Sequence, residues 1–191
     1  MSGNSFPQTL VAAQADGTAI SNSTVAASLI PAKAQYIFPA SFFSVGSALR
    51  VTATGRISNV VTTPGTLTLD LRLNSNIVAT TDAMGLNVNA KTSASWWLEW
   101  ILTCRSVGNG LGAKFMHQAK FISESVVGSG VPAAGGNGTF ISPAATPAVG
   151  AGFDSLTDNT LDFFGKFSVN TAGTGMTCHQ FIVETLINNA T

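Results

Sequence analysis

The sequence predicts an all-β protein built as a sandwich of two antiparallel sheets. Three observations carry this. Residues 48–73, ALRVTATGRISNVVTTPGTLTLDLRL, alternate strictly: Leu49, Val51, Ala53 and Ile57 against Arg50, Thr52, Thr54 and Arg56, then Leu67, Leu69, Leu71 and Leu73 against Thr68, Asp70 and Arg72. Alternation with a period of two marks half-buried strands with one dry face and one wet face. Similar segments recur along the chain, giving roughly eight to ten strands at sandwich spacing, and almost no segment shows the helical period. A lone hairpin cannot bury its apolar face, so residues 48–73, read as a hairpin turning at Thr63-Pro64-Gly65, require a second sheet from the rest of the chain.

In chain order, residues 1–35 read as an arm rich in small and hydroxylated residues, with weak strand patterns at 8–13 and 18–23 and with Pro31 and Pro39 punctuating the entry to the core. The arm either lies along its own domain or reaches a neighbour. Residues 36–191 read as one domain. Aromatic segments at 36–38 and 42–45 lead into the hairpin through the turn Gly46-Ser47. Asn74-Ser75-Asn76 turns the chain into a short strand at 77–81, and 82–91 reads as a loop. Residues 92–105, TSASWWLEWILTCR, are the most apolar strand: Trp96, Leu98, Trp100, Leu102 and Cys104 share one face, and Trp97, Glu99, Ile101, Thr103 and Arg105 the other. Trp97 and Ile101 therefore need cover beyond the core.

After a Gly/Asn turn at 108–112, residues 113–125 alternate Phe115, His117, Ala119 and Phe121 against Lys114, Met116, Gln118, Lys120 and Ile122. A helix is the competing reading, but no cap is present and glycine turns bracket the segment. Residues 126–152 are Gly, Pro, Ala, Ser and Thr almost throughout, a loop longer than is usual and available to touch a neighbour, with Phe140-Ile141 as a midway anchor. Residues 160–170 and 176–186 close the domain. In the latter, Met176, Cys178, Gln180, Ile182, Glu184 and Leu186 are expected on one face.

Composition narrows the function. Charged residues make up 9% of the 191 residues, against roughly 25% in ordinary soluble domains. Nine basic and nine acidic residues cancel. So neutral a surface lacks electrostatic protection against association, which points to a chain covered by its own copies or by a partner. The alternative is a monomer coated with Thr, Ser and Asn. No basic cluster supports nucleic-acid binding, and no apolar run is long enough to span a membrane. The opening MSGNSFPQTLVAAQADGTA has neither a basic region nor a hydrophobic signal core, which predicts a chain made and kept inside a cell until released. Sequons at Asn22, Asn137 and Asn189 then carry no meaning. Cys104 and Cys178 fall in strands and read as buried free thiols rather than a disulfide framework.

Groups for catalysis are few. Cys178 and His179 are neighbours on a strand and point to opposite faces, so they cannot form a nucleophile–base pair with each other. Glu99 and Glu184 could form a glycosidase-like carboxylate pair, but nine acids on a sandwich offer such pairs by chance. His117 and His179 have no ligand-spaced partners for a metal, and Gly135-Gly136-Asn137-Gly138 lacks the lysine and helix of a phosphate loop. Hence no enzyme, cofactor or metal is expected. Trp97 could stack on a sugar ring, with core or interface duty as the competing role.

The segments GSALRVTATGRISN, PGTLTLDLRLNSNIVATT, SWWLEWILTCRSVG and GMTCHQFIVETL, in that order and spacing over residues 47–186, resemble a group of tailed-bacteriophage virion proteins. The group is similar to the tumour-necrosis-factor-like jelly roll and serves as capsid decoration (cement) or another structural component. The resemblance implies a jelly roll, a virion location after assembly in the host cytoplasm, a homo-oligomer such as a trimer, and the major capsid protein or another virion protein as partner. It brings no catalytic residues. Subunit contact is then expected at Trp97, Ile101 and Phe164, and capsid contact at Phe6, Leu10, Val131, Phe140 and Ile141 of the arm and long loop. A tail or fibre module for host-receptor or carbohydrate binding is the second expectation.

Overall fold

The computed structural model describes residues 7–61, 63–127, 138–143 and 152–187. The strands are β1 (Gln8–Ala12), β2 (Ile20–Ser21), β3 (Ala27–Ser28), β4 (Tyr36–Phe38), β5 (Ala48–Asn59), β6 (Thr66–Leu73), β7 (Asn76–Thr80), β8 (Met84–Gly85), β9 (Lys91–Ser106), β10 (Lys114–Ser123), β11 (Thr139–Ser142), β12 (Asn159–Phe167) and β13 (Gly175–Ile187). They form two antiparallel sheets. The large one runs β1-β13-β5-β9-β10-β11 with β2 also on β13; the small one runs β3-β12-β6-β7 with β4 on β12 and β8 on β6.

Early and late strands interleave in both sheets. Taking β1, β3, β5, β6, β7, β9, β12 and β13 as the principal strands, β1-β13-β5-β9 faces β3-β12-β6-β7, which is the order of a jelly roll. The hairpin of β10 and β11 extends the large sheet beyond β9.

Two features of the chain order come out differently from the sequence pattern, and a third, which the pattern leaves open, is decided. First, residues 48–73 are not a hairpin. β5 pairs with β13 and β9, whereas β6 pairs with β12 and β7. The chain crosses from one sheet to the other between them, through Thr63 (φ 52°) and Gly65 (φ 71°). The two leucine- and valine-rich faces therefore oppose each other across the core, with Val51, Ala53, Leu69 and Leu71 fully buried. Alternation shows which face of each strand is dry, but backbone hydrogen bonding does not favour the sequence neighbour as partner.

Second, β13 does not keep one face throughout. Its register with β5 shifts between Cys178 and Gln180, a bulge that leaves His179 as the extra residue. Met176 and Cys178 point inward before it; Phe181, Val183 and Thr185 do so after it, and Gln180, Ile182, Glu184 and Leu186 turn outward.

Third, the described part of the arm belongs to its own domain. β1 and β2 run along β13, and Ala13 and Gly17 donate backbone hydrogen bonds to Phe181 and Cys178, both at 2.8 Å. The chain then crosses to the small sheet, where β3 and β4 run along β12. It thus caps one edge of each sheet, which removes two rows of open backbone groups. A buried carboxylate holds it there: Asp162 accepts from Ser28 Oγ and Gln35 Nε2, each at 2.6 Å.

Most of the expected long loop lies outside the described residues, but its centre forms β11 on the edge of β10. Aromatic side chains fill the core, with Trp96 stacked on Phe121 and Phe163 on Phe181, centroids 5.8 Å apart in each case. Phe43 contacts Phe38, Phe115 and Phe153 at the far end. Each such pair adds to the area it buries.

Candidate functional site

Two surfaces stand out. One is the outer face of the large sheet. On it, strand register sets the side chains in rows. Gln180, Thr54, Trp97 and Ile122 make one row; Ile182, Thr52, Glu99, Lys120 and Ile141 make the next; Glu184, Arg50, Ile101 and Gln118 make a third. Trp97 and Ile101 are both half-buried here. Arg50 lies between two carboxylates, 3.9 Å from Glu99 and 3.6 Å from Glu184. Thr54 Oγ1 donates to Gln180 Oε1 at 3.2 Å. Across the second and third rows, a shallow concavity of about 470 Å³ is bounded by Glu99, Ile101, Met116, Gln118, Lys120 and Ile141.

The other surface is one end of the sandwich. There the β4–β5, β9–β10 and β11–β12 connections are tied together: Ser41 donates to the Ser155 carbonyl at 2.8 Å, Gly46 to that of Cys104 at 2.9 Å, and Ser155 to that of Gly108 at 3.0 Å. These joined loops hold large aliphatic side chains in solvent, with Val45 59% exposed, Leu111 62%, Leu156 56% and Val107 44%.

The expected contact residues separate. Trp97 and Ile101 share the large sheet's outer face. Phe164 is on the outer face of the other sheet, with the Arg72 guanidinium 4.0 Å above its ring, so the three do not form one patch. Leu10 is half-buried against the domain's own core, and Phe140 is a buried core residue. Ile141, next to it on β11, is exposed. Phe6 and Val131 lie outside the described residues.

Burial shifts both thiols and one imidazole. Burial pushes the Cys104 thiol up and the Cys178 thiol up to about 12, against weaker opposing backbone hydrogen bonds. Both remain protonated, and a thiol is a poor nucleophile. His117 is moved down by burial, partly offset by the Asp82 charge; its Nδ1 accepts from Trp100 Nε1 at 3.4 Å. His179, on the bulge, meets Asp16 at 2.9 Å. Among the described residues, no three His, Cys, Asp or Glu side chains are grouped to hold a metal ion.

The aliphatic loop end was not anticipated from the sequence: Val45, Val107, Leu111 and Leu156 sit in three separate turns, and nothing local relates them. The charge on the outer face did have a signal, because Arg50, Arg56, Glu99, Arg105, Lys114 and Lys120 all occupy non-core positions of their strands.

No family model and no curated protein matches this chain. Among solved structures, it is similar to the CBM2 module of the evolved Dit of Lactobacillus casei BL23 phage J-1, with a TM-score of 0.33 and 13% identity over 80% of this chain and 69% of that one.

Proposed function

We propose that this protein is a non-catalytic structural component of a bacteriophage particle and attaches through the aliphatic loop end of its sandwich. The observation that carries this reading is the joining of Val45, Val107, Leu111 and Leu156 on loops that hydrogen-bond to one another. A monomer gains nothing from holding four large apolar side chains in water on a braced surface, whereas a contact gains roughly 25 cal/mol for each Å² it covers. Many symmetric copies turn a modest contact into a stable coat. The sequence resemblance to virion proteins supports the same reading, and the finer position we infer is that of a decoration protein, as a homotrimer bracing adjoining major capsid subunits.

The test is re-addition of the purified chain to particles assembled without it, followed by sedimentation and cryo-electron microscopy. Retention on the head shell is expected, with loss of retention in V107S/L111S. Failure of the wild-type chain to bind, or equal retention of the variant, overturns it. A second reading, a tail or fibre module that recognises host carbohydrate, is favoured by the half-exposed Trp97 among hydroxyl and amide side chains. Density on the tail, with glycan binding by the free chain, would select it.

A further inference from the structure

The outer face of the large sheet is not electrically neutral. Arg50, Arg56, Arg105, Lys114 and Lys120 project from it, five of the nine cationic side chains in the chain, against Glu99 and Glu184, two of the nine acids. The rest of the molecule is correspondingly acidic. Glu99 and Glu184 are both engaged with Arg50, and among the described residues no carboxylate pairs with Arg56 or Lys120.

Those two cations bracket Trp97. Thr54 and Ile122 lie directly opposite Trp97 on the neighbouring strands, so Arg56 on β5 and Lys120 on β10 are its diagonal neighbours, at opposite corners. Diagonal positions of this kind are about 7–8 Å apart, within reach of long side chains. Arg56 donates from Nη1 to Ser95 Oγ and to the Ser93 carbonyl. Thr54 and Gln180 add hydrogen-bonding groups in the same row as the indole.

We propose that this face binds an anionic polysaccharide, one sugar ring stacking on Trp97 and acidic substituents on either side meeting Arg56 and Lys120. The inference rests on the carbohydrate-recognition reading above and names its ligand class. An indole offers a flat apolar face to a sugar ring, and cations placed beyond both its edges select a chain that carries negative charge along its length. An acidic protein surface would use the cations but would leave the half-buried indole without a matching flat partner.

The full chain is titrated by calorimetry with polygalacturonate as the anionic glycan, dextran as the neutral glycan and poly-glutamate as a polyanion without sugar. Binding to polygalacturonate is expected, weakening with added salt and falling about tenfold or more in W97A and in R56Q/K120Q. It should be unchanged in K33Q/K166Q, whose side chains lie off this face. The R56Q/K120Q pair is exposed, so it tests the site even where W97A unfolds, which thermal melting reports. Absence of glycan binding overturns both this inference and the carbohydrate reading. Dextran bound as well as polygalacturonate overturns the anionic class alone. Poly-glutamate bound equally with no effect of W97A, or equal loss in K33Q/K166Q, also overturns the proposal.

Discussion

Gly55 and Trp96 face each other across β5 and β9, and the indole fills the space above the glycine. A Cβ at position 55 would come within 2.9 Å of the indole carbons and 1.9 Å of the Thr177 carbonyl oxygen. That same carbonyl accepts from Trp96 Nε1 at 3.2 Å. A methyl group here must displace both backbone and ring, so Gly55→Ala is expected to cost about 2–3 kcal/mol. Urea unfolding should show a lower midpoint with an unchanged slope.

Asp162 ties the first quarter of the chain to the small sheet. Its carboxylate accepts from Ser28, Gln35 and its neighbour Phe163 N at 2.6–2.7 Å, and it is 8% exposed. Asp162→Ala takes this acceptor from the Gln35 and Phe163 amides and leaves the Ser28 hydroxyl only the Ile30 carbonyl at 3.2 Å, and should cost about 2–4 kcal/mol. Hydrogen exchange should quicken first around residues 27–35, including the Leu29 amide that bonds to the Phe163 carbonyl.

His117 predicts a pH dependence. Burial lowers its folded pKa below the unfolded value of about 6.5, so the unfolded chain binds the proton more readily. This contribution is fully present above about pH 6.5 and is lost as pH falls toward the folded pKa. Chemical denaturation between pH 7.5 and 5 should show stability declining with acid, and His117→Gln should flatten that decline.

The two thiols give a direct readout of packing. Cys104 is 0% exposed and Cys178 2%, and both are held protonated by burial. Native protein at pH 8 should leave a disulfide reagent such as Ellman's reagent almost unreacted, and both thiols should titrate once denaturant is added. Rapid labelling of Cys178 in the native state would mean that the segment from Ala13 to Gly17, whose backbone bonds to β13, opens readily.

Much of this architecture was legible in the chain because a strand's alternation is a local property. Period two assigned Leu49, Val51 and Ala53 of β5, Leu67, Leu69, Leu71 and Leu73 of β6, and Trp96, Leu98 and Trp100 of β9 to the core, and each is buried. It also left Trp97 and Ile101 outside, where the candidate surface lies. The bulge at His179 broke the pattern within β13, since an inserted residue reverses every side chain beyond it and nothing in TCHQF announces it.

By itself, then, the sequence determined the all-β class, the dry face of most strands and a surface poor in charge. The tertiary structure decided which strands pair, that β5 and β6 face one another rather than sharing a sheet, and that the arm seals two edges. It also decided that Phe164 lies on the opposite side from Trp97, that Arg56 and Lys120 flank the indole, and that four aliphatic side chains from three turns meet at one end. The reason is physical. Backbone hydrogen bonds are alike for every partner strand, so pairing is chosen only when the whole apolar surface closes at once, and residues far apart in the chain become neighbours only then.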